Sequence, residues 1–460
     1  MMKTHSSYKY FFLYSLLLLM GSCKKFLEVD PPVNQVTTGM VFQSDQSATA
    51  AMTGLYSRMM GSLYTWSNGG LSIYSGLSAD EYLPTQPDME RDEFSSNALS
   101  PQNGIVQGQF WVAAYNHIYQ ANAVLAGLDQ SAAVSAAVKK RLTGEAFFNR
   151  ALCYFYLINL FGEVPLVTTT DYRVSAGMAR TAVPEIYGQI VSDLQAATEL
   201  LAEGNSTPDR TRPGKVAATA LLSRVYLYRQ EWDKAEAAAS TVLDGGGYQL
   251  ESLENVFRAE SREAIWQLAP VTSSYNTTEG FAFLPYPATA RPAYALTAQL
   301  LSAFQSGDQR ATAWVGSSTV EGKTYYYPAK YKVKFSFLSN QKEYNMVLRL
   351  AEQYLVRAEA AAWQDKEEQA LADLNTIRRR AGLADTALSG REALLKAIAV
   401  ERQRELFAEW GHRWLDLKRT GRLQAVLAPL KAGWQPTDAL YPIPHSELQT
   451  NPALVQNAGY

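Results

Sequence analysis

Two stretches of the chain carry the same pattern of small and large apolar residues, and that pattern leaves few folds open. From Lys215 to Leu243, Leu222, Ser223 and Tyr226 on one helical stretch are followed by Ala235, Ala239 and Val242 on the next. From Tyr354 the arrangement returns: Ala358 stands where Ser223 does, Ala361 replaces Tyr226, and Ala370, Leu374 and Ile377 take the later places. A small residue such as Ala235 lets two antiparallel helices approach closely, while a large one such as Tyr226 fills the gap one turn away. The chain is therefore expected to be mostly α, built on paired helices.

These spacings are those of a tetratricopeptide repeat, and Glu231 to Ala238 (EWDKAEAA) reads as the opening of its second helix. Helical periodicity also marks Met52, Leu55, Met59 and Leu63, with Tyr56 and Met60 beside them. It returns over Phe110 to Leu128, Ala132 to Phe161, Glu185 to Leu201 after Pro184, and Arg391 to about Lys418. Trp111, Tyr115 and Ile118 lie at helical spacing and are expected in the core. Between Ser67 and Gly104 the period fails and Gly, Ser, Asn, Asp and Pro dominate, which predicts a long functional loop. Ser252 to Asn345 is punctuated by proline and crowded with aromatics. Within it Lys330, Lys332 and Lys334 alternate with Tyr331, Val333 and Phe335, predicting a strand or hairpin with its lysines facing water. The Pro- and Asn-rich ending from Thr437 is expected to wrap the surface. The expected fold class is mostly α: a tetratricopeptide-like helix-pair scaffold with long irregular ligand loops and a few short strands.

At the start of the chain, Lys3 and Lys9 precede an apolar run, Tyr10 to Met20, and Gly21 and Ser22 lead into Cys23. The run is roughly half the ~20 residues a spanning helix needs, and its small-residue exit marks cleavage. The pattern resembles the lipobox of bacterial lipoproteins, with Met20 where Leu is more usual. That resemblance implies loss of residues 1–22 and acylation of Cys23, the expected lipid anchor; a plain secretory signal with an incidental cysteine is the alternative. Two acyl chains hold a protein on a bilayer stably, at ~0.8 kcal/mol per buried CH₂. The organisation expected is a signal peptide over 1–22, a tether over 23–44, an N-terminal helical part over 45–250 and a C-terminal part over 251–460 with a loop insertion at 252–345. The formal charge of −2 becomes about −4 once Lys3 and Lys9 are lost, and without a basic stripe there is no footprint for nucleic acid. Cys153, in an apolar run, reads as a small buried hydrophobe.

Several further stretches resemble one family, the SusD/RagB outer-membrane nutrient-binding lipoproteins. They are Gly21 to Pro32, Ser306 to Arg310 (SGDQR), Glu343 to Ala360, Glu401 to Arg419, and the ending with Tyr441 to Pro444, Asn451-Pro452 and Gln456 to Tyr460. The resemblance implies a non-enzymatic protein without a cofactor, anchored at the outer membrane and facing the cell exterior. Its implied partners are an oligosaccharide, or in some branches a peptide, and a TonB-dependent SusC-type transporter over which it sits as a lid. The ligand loops of relatives fall in segments comparable to Ser72 to Phe94 and Tyr275 to Tyr327, where no residue-by-residue match exists.

The residues themselves offer little catalytic material. Glu401, Glu405 and Glu409 recur every four residues, with Arg402, Arg404 and Arg413 in reach, which predicts an internal ion-pair lattice. Glu409 and His412 have di-iron spacing but lack the second pair such a site requires. Gly316 to Thr324 has five residues between its glycines, not the four of a phosphate loop, and strand-like sequence follows. Adjacent Asp80 and Glu81 do not make the facing carboxylates of a glycosidase. By contrast, 27 tyrosines and 9 tryptophans exceed what a core of this kind normally needs, so some are expected at a recognition surface. A sugar ring lays its C–H face on an aromatic ring while sparse polar groups take its hydroxyls. Two clusters fit: Trp66, Asn68, Tyr74, Asp80, Glu81 and Tyr82, and Tyr275, Tyr286, Trp314 and Tyr326. They are expected to converge on one face, with Trp66 and Trp314 as leading platforms; packing of a loop onto the scaffold is the alternative for each. An anchored glycan hydrolase and a pure interaction scaffold are the rival functions.

Overall fold

A computed structural model describes residues 41–203 and 207–460; Cys23 and the tether up to residue 40 lie outside the described residues. Helix α1 (Asp45–Met59) begins where the Ser44 hydroxyl accepts from the Ser47 amide, closing a free donor of the first turn. It buries Ala48, Met52, Leu55, Tyr56 and Met59, and ends before Leu63. Helices α2 (Ala113–Gln130), α3 (Ala136–Phe161) and α4 (Val183–Leu200) follow. Trp111 and Ile118 are core residues and Tyr115 is partly buried against them. Cys153 is buried, and burial raises its thiol well above the usual range.

The two repeats form as the spacing predicts: α5 (Lys215–Tyr228) with α6 (Trp232–Asp244), and α7 (Leu350–Trp363) with α8 (Glu367–Arg380). Helix α6 packs on α7, joining the pairs, and Trp232 stacks on Trp363 at 5.1 Å and 10°. Ser223, Ala235 and Ala239, like Ala358, Ala361 and Ala370, are fully buried where the helices meet. The turns match as well. Gln230 (φ 60) and Asp365 (φ 59) take equivalent left-handed positions, and the Glu231 and Lys366 amides donate to the Tyr226 and Ala361 carbonyls at 2.9 and 3.0 Å.

Buried bidentate forks bind neighbouring helices: Arg150 to Asp193 at 2.8 and 2.7 Å between α3 and α4, and Arg224 to Glu352 at 2.6 Å twice between α5 and α7. The predicted lattice is centred on α9 (Arg391–Leu406). Arg310 bridges Glu401 (2.7 Å) and Glu405 (3.0 Å), and Arg349 bridges Glu405 (2.6 Å), Glu263 (2.8 Å) and Glu409 (2.8 Å). Glu409, however, is not on that helix. The chain turns through Ala408 (φ 54), Trp410 (φ 44) and Gly411 (φ 69) before α10 (His412–Arg419), so one helix to Lys418 becomes two. A Cβ at Gly411 would stand 3.0 Å from the Ser75 side chain, in a backbone region that favours glycine.

Three sequence expectations need correction. Trp66 to Ser75 is not a solvent loop but a widely wound helical segment kinked at Asn68 and Gly69, buried throughout. The kink breaks the apolar period, and the polar side chains at its start are satisfied inside: Ser67 donates to the Met59 carbonyl at 2.8 Å and Asn68 to the Met60 carbonyl at 3.1 Å. Next, of the three lysines expected to face water only Lys332 is exposed. Lys330 is buried, donating to the Glu405 carbonyl at 2.7 Å and pairing with Glu409, while Lys334 donates to the Leu284 carbonyl at 2.7 Å. Finally, the tail does not simply wrap the surface: Tyr441 and Ile443 are fully buried, and the Tyr441 ring packs on Phe94, Phe110 and Trp414.

The strands are short antiparallel pairs. β1 (Tyr82–Pro84) pairs with β3 (Tyr294–Leu296), β2 (Ala264–Leu268) with β6 (Asn345–Arg349), and β4 (Val315–Val320) with β5 (Lys323–Pro328). Among the described residues no helix is long and apolar enough to cross a membrane.

Candidate functional site

The β1/β3 pairing, with Tyr82 opposite Leu296 and Pro84 opposite Tyr294, joins the segment around residues 64–97 to the insertion. The join continues inward. Thr278 donates to Asn68 Oδ1 at 2.7 Å, and Ser72 donates to Glu279 at 2.9 Å. The two loop regions therefore touch in the interior, but none of these contacts is made by Tyr275, Tyr286, Trp314 or Tyr326. Trp66 is 1% exposed and donates to His117 Nδ1 at 3.1 Å; Trp314 is 0% exposed and donates to the Leu253 carbonyl at 2.9 Å. No sugar ring reaches either face, which corrects their expected role as leading platforms.

The polar members are engaged too. Asp80 accepts both arms of the Arg413 fork at 2.6 Å, and Glu81 accepts from the Ala408 amide at 3.2 Å. Tyr74 is packed against Phe94 and Phe110, and Tyr82 against Phe283 and Tyr294. A Cβ on Gly76 would lie 2.0 Å from the Tyr82 hydroxyl. The sequence could not separate these aromatics from surface ones, because a short kinked segment has no period to show which side faces in.

Burial, with the Asp80 carboxylate beside it, pushes Glu81 up to about 8. Its folded value exceeds its unfolded one, so its contribution is full below about pH 4.5 and is lost as pH rises through about 8. Glu81→Gln, which keeps an acceptor for Ala408, is expected to match the parent at pH 4 and to be on the order of 2–4 kcal/mol more stable at pH 9. Denaturant unfolding at both pH values checks this, and equal gains at both would count against it.

What does reach solvent is an aromatic strip on the insertion. Tyr275 contacts Phe281 (centroids 5.5 Å), Phe281 contacts Phe335 (5.9 Å), and Phe335 contacts Tyr286 (5.3 Å) and stacks on Phe337 (5.4 Å, 25°). Tyr286 is 62% and Phe337 71% exposed. The Lys334 ammonium lies 4.9 Å from the Phe281 centroid and 5.6 Å from that of Phe335, and with its bonds to the Phe281 and Leu284 carbonyls it pins the strip. Burial lowers its pKa. Beside Phe337 opens a cleft of about 420 Å³, lined by Thr272, Ser273, Asn276, Asn340, Lys342 and Tyr344 among others. At the other end Tyr64, whose phenol burial pushes up to about 12, stands near Tyr294 and Tyr275, and Arg91 lies over the Tyr294 ring at 5.9 Å. Tyr326, 44% exposed, stands on the β4/β5 hairpin with no ring contact among the described residues. Exposed rings beside hydroxyl and amide groups suit a ligand with both C–H faces and hydroxyls.

Two family profiles match this chain: a SusD-like family described as starch-binding associating with outer membrane, over residues 25–227, and the SusD family, over residues 305–460. The chain belongs to the SusD/RagB family. Among its relatives is the SusD-like protein P25 of Formosa agariphila, 26% identical over 95% of this chain and 97% of that protein. A SusD superfamily protein from Bacteroides vulgatus superposes with a TM-score of 0.80 at 22% identity, covering 90% of this chain and 99% of the other. A laminarin-binding SusD-like protein superposes with a TM-score of 0.76 at 26% identity, covering 91% and 100%. This chain thus shares the mostly helical fold of the two solved SusD proteins.

Of the strip in this SusD-family chain, Tyr275 and Tyr286 were legible from the sequence. Phe281, Phe335 and Phe337 were not, since Phe335 falls in the alternation that reads as an inward strand face. The one available signal is Ser336 to Asn340 (SFLSN), where Phe337 and Leu338 lie among small polar residues with no period.

Proposed function

We propose that this chain is a non-catalytic cell-surface lipoprotein, anchored through Cys23, that captures an oligosaccharide. Tyr286, Phe337 and the adjoining polar cleft hold the sugar, and the protein passes it to a SusC-type TonB-dependent outer-membrane transporter. The observation that carries this reading is the exposed strip beside a cleft of hydroxyl and amide groups. Support comes from the laminarin-binding neighbour and from a family described as associating with outer membrane. The aromatic rings take the C–H faces, and groups such as Asn340 and Lys342 take hydroxyls.

Calorimetric titration of the mature protein against laminari- and malto-oligosaccharides and a peptide panel tests the reading. Removing both rings in Tyr286→Ala/Phe337→Ala is expected to cost ~1–2 kcal/mol of glycan binding or more, roughly a 5–30-fold loss, with the melting temperature unchanged. Undiminished binding in a folded double variant would remove the strip from the site, and heat with peptides alone would replace the ligand. Turnover of any glycan would overturn the non-catalytic reading. Mass spectrometry of the mature N-terminus checks acylation at Cys23, and protease shaving of intact cells checks the outward face.

A further inference from the structure

Remote in sequence from the strip, a cavity of about 600 Å³ lies where α7, α9 and α10 meet. Trp363, Leu395, Ala399, Phe407 and Leu417 make its walls largely apolar, which is the usual character of a small-molecule site of this size. Its ionic lining is lopsided: six arginine and lysine side chains against the carboxylates of Glu359, Glu392 and Asp416. Three of these six cations are already matched. Arg419 is held by Asp416 at 2.7 Å and by Glu359 at 2.6 and 2.7 Å, Arg413 by Asp80, and Arg391 by Asp365.

The other three leave at least one donor without a partner. Arg402 directs Nε and Nη2 to Asp416 at 2.7 and 3.1 Å, but its Nη1 is buried without a partner, on a residue only 2% exposed. Lys396 and Arg422 are exposed at the lining and have no ionic partner among the described residues. That nitrogen is closed to solvent, so a ligand in the cavity meets the two exposed cations, Lys396 and Arg422. Asp416 and Glu359 on the same wall repel a doubly charged group and favour a single charge.

We propose that this cavity is a second binding site, specific for a monocarboxylate carried on a flat apolar body. The carboxylate pairs with Lys396 and Arg422, and the body fills the space over Ala399 between Trp363 and Leu417. The site shares no residue with the aromatic strip or its cleft, and the inference stands whether or not the strip binds glycan.

The probe is 2-naphthoate, titrated calorimetrically into the mature protein, with 2-naphthalenemethanol as its neutral counterpart. Saturable binding of the acid is expected, with the alcohol at least tenfold weaker. Ala399→Trp, which fills the cavity, is expected to abolish it, and Lys396→Glu/Arg422→Glu, at exposed positions, to weaken it at least tenfold. The Tyr286→Ala/Phe337→Ala variant is expected to bind 2-naphthoate unchanged, which separates this site from the glycan reading. Absence of saturable binding at millimolar concentration overturns the proposal, as does equal affinity for the alcohol, or binding that survives either cavity variant. Should Ala399→Trp not fold, the surface pair decides the matter.

Discussion

Glu405→Ala is expected to lower the unfolding free energy by about 3–5 kcal/mol, the largest single-residue effect in the lattice. Burial alone drives this carboxyl up; the guanidiniums of Arg380, Arg349 and Arg310 override it and hold it well below its usual range. Glu405 is 0% exposed and pairs with all three arginines, with Arg349 at 2.6 Å and Arg310 at 3.0 Å. Truncating it leaves cations enclosed without their shared counter-charge, which is far worse than removing a whole ion pair. The lattice joins the end of α8, β6, α9 and the short turn carrying Arg310, so the loss is expected to be global. A guanidinium titration reads it as a fall in midpoint at unchanged slope. A loss below about 1 kcal/mol would show that the lattice is not a stabilising core of the fold.

Asp80→Ala is the second. The Asp80–Arg413 fork, both oxygens at 2.6 Å, ties the segment leading into β1 to α10. With the side chains 3% and 9% exposed, removal of the acid strands Arg413 at a cost of about 3–5 kcal/mol. The tie also carries the path to the proposed ligand surface, since β1 holds β3 and β3 presents Tyr294 near Tyr64 and Tyr275. Asp80→Ala is therefore expected to weaken glycan capture although it touches no ligand. In the double variant Asp80→Ala/Arg413→Ala no charge is left stranded, so it is expected to be more stable than Asp80→Ala alone. Additive losses in that cycle would sink the account.

Asp80 and Glu81 also show why the site was less legible than the scaffold. On the sequence, a tryptophan, an asparagine and two acids in a Gly- and Ser-rich stretch have the chemistry of a sugar site. In the fold, Trp66, Asp80 and Glu81 lie where the N-terminal segment is clamped to residues 408–413, Asn68 is held by the Met60 carbonyl and Thr278, and the hydrogen bonds a ligand would need are already made. Lys330 tells the same story: alternation placed it on a wet face, yet Glu409, brought in from 79 residues away, makes an enclosed ammonium tolerable. Phe337, which the periodicity passes over, is the most exposed ring of the strip.

The local pattern of the chain was enough to determine the paired helices, their close small-residue contacts and the existence of an acid–base lattice. These depend on spacings of three and four residues and on helix–helix packing that any neighbour of the right shape completes. Tertiary structure alone decided which aromatics face water and which carboxylates are engaged. Burial of a side chain in an irregular segment is set by whatever distant segment covers it, and Trp66, Trp314 and Asp80 were covered by residues 51, 61 and 333 positions away.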